Sequence, residues 1–227
     1  MKWLVNFLTS SLGKKVIMSL TGLFLCTFLI VHMIGNLKLF ADSDGHKFNE
    51  YAEFMAHNPI IKTVSYGLYF FIILHAVQGL LIAAANRSAS GGANRYAGKQ
   101  TSPTEAKIAS RNMALLGTLI LAFLLLHMGQ FWLKAKVIGL ADGVTLYDEV
   151  KIAFAQEWVV ITYLLGLVAL ALHLIHGFQS AFQTLGLTHP KYTPLVKGLG
   201  WLFSILVPLG FASMPIYFYI MHVNGAN

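Results

Sequence analysis

Charged residues are scarce in this sequence. They make up 11% of the chain, where a soluble domain carries roughly 25%. Too few remain to cover a water-facing surface, so a soluble globular domain is excluded and the bilayer is the expected solvent. Cysteine is almost absent as well. Cys26 stands alone inside an apolar run, which excludes an internal disulfide framework. The long apolar stretches also hold no Asp or Glu. No solenoid-like repeat occurs, and no linker is long enough to separate soluble domains, so a single domain over residues 1–227 is expected.

Apolar length is what the sequence has instead. Of 227 residues, 56% are hydrophobic, and the mean hydropathy is +0.65. Crossing a hydrocarbon core of about 30 Å takes about 20 helical residues. Five stretches meet that requirement, near 16–39, 60–85, 109–133, 159–182 and 196–220. The last contains Pro208 and Pro215, which predict kinks in a helix whose neighbours satisfy the freed backbone groups. The first run begins only after Lys14 and Lys15. It is too long for a signal-peptide core and lacks a small-residue cleavage site, so a retained helix is expected. Ahead of it, Trp3, Leu4, Phe7 and Leu8 recur at helical spacing, as in a short amphipathic segment lying in the interface.

The basic residues orient the bundle. With five spans, the N-terminal side also owns the loops 86–108 and 183–195. That side collects ten basic residues, among them Lys14, Lys15, Arg87, Arg95, Lys99 and Arg111, against Glu105 alone. The opposite side has six basic residues against eight acids, including Asp42, Asp44, Glu50, Glu53 and Asp148. The balances of +9 and −2 together return the net +7 of the chain. The positive-inside rule then puts the N-terminus in the cytoplasm and the C-terminus outside. The positive charge is a topology signal, which removes nucleic acid from the partners.

Five of the nine histidines fall within spans: His32, His75, His127, His173 and His176. Ionisable residues at that depth are costly and mark a defined partner. The first four spans each carry at least one, and the fifth carries none in its core. Their depths follow from the helical rise of 1.5 Å per residue. His32 lies seventeen residues beyond Lys15 and His127 sixteen beyond Arg111, which is about 24–26 Å from the inner charges. His75 is twelve residues before Arg87, about 18 Å from them. His173 is sixteen residues past Glu157, about 24 Å from the outer side. Two pairs in two layers are expected.

Paired imidazoles suit haem iron. Imidazole also binds copper and zinc, but no thiolate or intramembrane carboxylate accompanies these residues, and a structural zinc needs four ligands together. Bis-imidazole ligation leaves no open coordination position, which favours electron transfer. The absence of Cys-x-x-Cys-His excludes covalently held c-type haem. The chain therefore reads as an all-α membrane protein, five transmembrane helices in a bundle enclosing two haem b groups. Gly35, Gly79, Gly117 and Gly177 are placed to let a flat macrocycle approach the backbone, or serve ordinary small-residue helix packing.

Four runs carry a resemblance. Gly13–Gly22 (GKKVIMSLTG), His32–Leu37 (HMIGNL), Ser110–Ala114 (SRNMA) and His173–Gly186 (HLIHGFQSAFQTLG) resemble the di-haem cytochrome b subunit of succinate dehydrogenase/fumarate reductase, the membrane anchor of succinate:quinone oxidoreductase. The likeness covers nearly the whole chain, and the run in the fourth span is its most specific segment. The resemblance implies that His32 and His127 hold a distal haem on the outer side, and His75 and His173 a proximal one nearer the cytoplasm. His176 is the alternative to His173; the family pattern of a His four residues before Gly favours His173. Arg87 and Arg111 could pair haem propionates, or contribute to topology alone.

The resemblance further implies a flavoprotein subunit and an iron–sulfur subunit docked on the cytoplasmic face, carrying FAD and the clusters. Succinate chemistry would take place on the flavin, with this chain passing electrons to membrane quinone. It places the complex in a bacterial cytoplasmic (inner) membrane and leaves room for a higher oligomer. Quinone is expected near the distal haem beside an outer carboxylate. Glu50 and Glu53 are the candidates, with Trp132 stacking a ring, against the ordinary roles of solvated loop acids and aromatic belt. Competing readings are the cytochrome b subunit of a hydrogenase or formate dehydrogenase, which needs its larger docking face outside, and a transporter with a histidine proton relay. The transporter predicts acids within the spans and paired broken helices. An anchor that has lost its haems is disfavoured by four retained histidines.

Overall fold

The computed structural model describes residues 2–89 and 105–225. Arg95 and Lys99 lie outside the described residues, as do the side chains of Leu4, Arg87, Lys107 and Arg111. Every regular element among the described residues is helical. In chain order these are α1 (Lys2–Thr9), α2 (Ser11–Asn36), α3 (His46–His57), α4 (Pro59–Ala89), α5 (Glu105–His127), α6 (Leu146–Phe154), α7 (Glu157–Thr184) and α8 (Thr193–Val223). A 3-10 turn, Leu37–Phe40, extends α2, and two π-helical turns, Met128–Trp132 and Lys134–Ile138, extend α5.

Five of these helices are long and apolar enough to cross a membrane, over Ser11–Phe40, Pro59–Asn86, Asn112–Ile138, Glu157–Thr184 and Thr193–Val223. All five expected stretches are present, each with ends shifted by a few residues. The third shifts most, because π turns carry it on to Ile138. Many apolar side chains of these helices stand more than half exposed, among them Val64, Phe70, Ile73 and Leu80 on α4. Exposed apolar surface of that extent is what a lipid-facing bundle presents.

The helix α7 is the central one. It packs along α8, α5 and α2, while α4 lies against α2. Burial follows that order: 39% of the apolar window of α7 is buried inside the protein, and none of that of α4. Pro208 and Pro215 sit inside α8, which runs on through both. Pro215 is among the most buried side chains.

The densest packing is at the end of the bundle where α2 finishes and α7 begins. Leu39, Phe48, Tyr147, Val150, Phe154, Val159, Met214 and Phe218 form one buried cluster there. It includes α3 and α6, two short helices that the hydropathy pattern did not reveal. Gly45 precedes α3 with φ 73°, and its missing side chain leaves room for the Tyr147 ring, which a Cβ would meet at 2.1 Å. The Tyr147 N–H donates to Asn49 Oδ1 at 3.1 Å, tying α6 to α3. Helix α6 starts with a capping box. Thr145 Oγ1 accepts from the Asp148 N–H at 3.2 Å, and the Thr145 N–H donates to Asp148 Oδ2 at 2.9 Å. At the other end, Ser10 caps α2 by accepting from the Gly13 N–H at 3.0 Å. The preceding α1 stacks Trp3 on Phe7, with Trp3 76% exposed, in keeping with an interfacial segment.

Candidate functional site

The four span histidines meet in two cross-helix pairs. His32 of α2 faces His127 at the end of α5, ring centroids 5.8 Å apart and planes at 84°. His75 of α4 faces His173 of α7 at 6.3 Å and 70°. These are the partners expected from depth along the helices. His176 has no ring contact with His75, so of the two candidates on α7 it is His173 that lies opposite α4.

The spacing of the layers follows from what else each pair touches. Thr21 of α2 lies 3.0 Å from His75 Nδ1, at the pair on the side expected to face the cytoplasm, here termed inner, the His32–His127 pair being termed outer. Eleven residues further along the same helix is His32 of the outer pair, a rise of about 16 Å. Tyr163 of α7 lies at the outer pair, 3.2 Å from His127 Nδ1, ten residues or about 15 Å from His173. The outer layer is strongly aromatic. His32 stacks on Phe28 and leans on Phe211, while His127 is ringed by Phe123, Phe131 and Tyr163.

Three observations bear on whether a bis-imidazole haem suits these pairs. Two imidazoles on opposite sides of one metal, each bound at about 2 Å, put their ring centroids roughly 6 Å apart. The measured 5.8 and 6.3 Å match that. Rings so bound turn freely about the metal–nitrogen axis, so the 70° and 84° angles are allowed. Metal-ligating histidines usually engage their second ring nitrogen. His75 and His127 do so at Nδ1, with the Thr21 and Tyr163 hydroxyls. Finally, the Gln78 and Gln130 side chains each bury an amide oxygen without a hydrogen-bond partner. Gln78 stands three residues after His75 on the same face of α4, and Gln130 three residues after His127 in the π-helical turn. The residues fit the group. No cluster of three or more His, Cys, Asp or Glu occurs among the described residues; the histidines stand in twos, an arrangement that suits haem better than a four-ligand zinc.

The four glycines divide in role. Gly117 and Gly177 flank the His173 ring; a Cβ on either would stand 3.8 and 4.0 Å from it. Gly79 faces Met18. Gly35 serves packing instead, since a Cβ there would come within 2.7 Å of the Tyr51 ring of α3. A Cβ on Gly22, which the sequence did not single out for this role, would come closest to an imidazole, 3.2 Å from His75 Cε1. Thr21, Asn36 and Tyr163 were likewise missed. A hydroxyl in an apolar span signals something only once its cross-helix neighbour is known; Asn36 instead reaches His32 within α2, four residues away.

The candidates for a quinone site are spread out. Trp132 is half-buried in the π-helical turn after His127 and donates from Nε1 to Tyr69 Oη of α4 at 2.7 Å. Glu50 and Glu53 both stand exposed on α3, and neither carboxylate has a hydrogen bond or ion pair among the described residues. The buried carboxylate at that end is Glu149 of α6, 8% exposed and paired with Lys134. Wide π turns of this kind are rare and often occur at functional sites.

Comparison with known proteins identifies nothing: no family model, curated protein or solved structure matches this chain. The functional reading therefore rests on the geometry above and the resemblance in the four sequence runs.

Proposed function

We propose that this chain is the haem b membrane subunit of a succinate:quinone oxidoreductase, carrying electrons between an iron–sulfur partner and membrane quinone. The observation that carries the reading is the pair of cross-helix imidazole couples, stacked in two layers about 15 Å apart along α2 and α7. Bound there, two haems supply one-electron carriers at two depths in the membrane. The chain contributes their ligands, His32 with His127 and His75 with His173. It also contributes the apolar walls that keep water and oxygen from the iron, and the side chains that hold each imidazole in its orientation.

In this reading the inner layer receives electrons from the iron–sulfur subunit, docked with the flavoprotein on the basic cytoplasmic face. The outer layer delivers them to quinone beside the π-helical segment after His127. Of the quinone candidates, Trp132 is favoured by its position in that segment. Dicarboxylate chemistry belongs to the flavoprotein. The protein sits in a bacterial cytoplasmic membrane with its N-terminus inside, following its basic residues.

The reading is tested by purifying the complex with its partner subunits and adding succinate anaerobically. The expected result is reduction of haem b absorbance by succinate, reversed by oxidised quinone. A chain that copurifies with no flavoprotein, or whose haems ignore succinate but respond to hydrogen or formate, would transfer it to the other respiratory complexes.

A further inference from the structure

The two hydroxyls that meet the histidines are arranged crosswise. Helix α2 carries His32 in the outer layer and Thr21 in the inner one. Helix α7 carries His173 in the inner layer and Tyr163 in the outer one. Each of these touching helices thus offers an imidazole to one layer and a hydroxyl to the other.

The direction of the Thr21 bond can be worked out. A threonine hydroxyl has one hydrogen. That of Thr21 is committed to the backbone of its own helix, with Ile17 O at 2.8 Å and Met18 O at 3.1 Å. Its oxygen is then left to accept, which assigns the hydrogen in the 3.0 Å contact to His75 Nδ1. The imidazole is thereby held as its Nδ1–H tautomer, with the bare lone pair on Nε2. That is the form a metal needs. Tyr163 is 6% exposed, and its hydroxyl has His127 Nδ1 as its hydrogen-bond partner among the described residues. Its ring is fixed by edge contacts with Phe123, Phe131 and Phe154.

We infer that Thr21 and Tyr163 are positioning residues, each hydroxyl orienting the ligand imidazole of a neighbouring helix and tuning one haem: Thr21 the inner one through His75, Tyr163 the outer one through His127. The inference rests on the proposed haem ligation. Where Nε2 ligates the iron, Nδ1 carries the ring hydrogen and the facing hydroxyl oxygen accepts it, at Tyr163 as at Thr21, which makes the imidazole a stronger donor to the metal. This favours the oxidised iron, so removing the hydroxyl raises the midpoint potential of that haem. Crossing makes the two effects separable, since each substitution lies on a helix whose own ligand serves the other layer.

The test uses the complete complex in four variants: Thr21→Val, Thr21→Ser, Tyr163→Phe and Thr27→Val. Thr27 is the control, an exposed hydroxyl of α2 that bonds only to Leu23 O. Each is followed by potentiometric titration of both haems and by low-temperature electron paramagnetic resonance of the oxidised sample. The inner haem is identified as the one lost in His75→Ala. Thr21→Val is expected to raise the inner midpoint alone, and Tyr163→Phe the outer midpoint alone. The oxidised-to-reduced ratio at fixed potential should change by about threefold to tenfold, the worth of one hydrogen bond, where tenfold equals about 59 mV for one electron. Thr21→Ser should restore the native value, and Thr27→Val should not depart from it. Loss of the inner haem alone in Thr21→Val, restored by Thr21→Ser, would support the same role. The inference is overturned if Thr21→Ser behaves as Thr21→Val, if both variants move the same haem, or if neither moves one. A native complex without haem would overturn the ligation itself, and would be seen before any variant is titrated.

Discussion

Each histidine of the two pairs has a different neighbourhood, and that gives single-residue changes distinct outcomes. Removing one member of a pair leaves the facing imidazole without its partner, whereas the other layer lies about 15 Å away. His32→Ala or His127→Ala should therefore halve the haem content and spare the inner haem. His75→Ala or His173→Ala should do the reverse. His176→Ala should leave both, since it is His173 that faces His75. Haem per polypeptide in the purified variants reads this directly; equal loss in His176→Ala would reassign the fourth ligand. The pairing was legible before the structure because helical rise and flanking charges set the depth of each histidine. The supporting residues were not. Thr21 and Tyr163 look like ordinary span residues until helix packing brings each to an Nδ1 of another helix.

Among the elements, the five long helices announce themselves through hydropathy, which is why their number and approximate ends were readable. What hydropathy cannot register is the cap at the end where α2 finishes and α7 begins. Helix α6 has nine residues and α3 twelve, of mixed polarity, and both are held by contacts distant in sequence, such as Tyr147 on Gly45. The π turns of 128–138 also left no mark, because their winding reflects local packing after His127 rather than composition. The cap makes its own prediction. Thr145→Ala removes the side-chain acceptor at the start of α6 and should lower stability by about 1 kcal/mol. This is measurable as a lower midpoint of thermal unfolding in detergent. The Thr145 hydroxyl, then its backbone N–H, hold the Asp148 carboxyl below its usual range. A depressed carboxyl pKa stabilises the fold above the unfolded value, and that contribution fades as pH falls through the folded one. The penalty of Thr145→Ala should therefore shrink in acid, below the ordinary carboxylate range.

Five helices among the described residues are long and apolar enough to cross a membrane, and an odd number of crossings puts α1 and the end of α8 on opposite sides. Basic residues favour an inner N-terminus. Cysteine scanning settles this once Cys26, half-buried in α2, is replaced by serine. Asp142→Cys should react with a membrane-impermeant maleimide added to intact cells, and Lys2→Cys only after lysis. The opposite pattern would invert the electron path proposed here and favour partners on the other face.

The most direct test of the central claim is a dithionite-reduced minus oxidised spectrum of the purified protein, with haem per polypeptide determined as the pyridine haemochrome. Two low-spin b haems per chain are predicted, one for each imidazole pair. A colourless protein, made by cells well supplied with haem, would contradict the account and bring the histidine proton relay forward in its place.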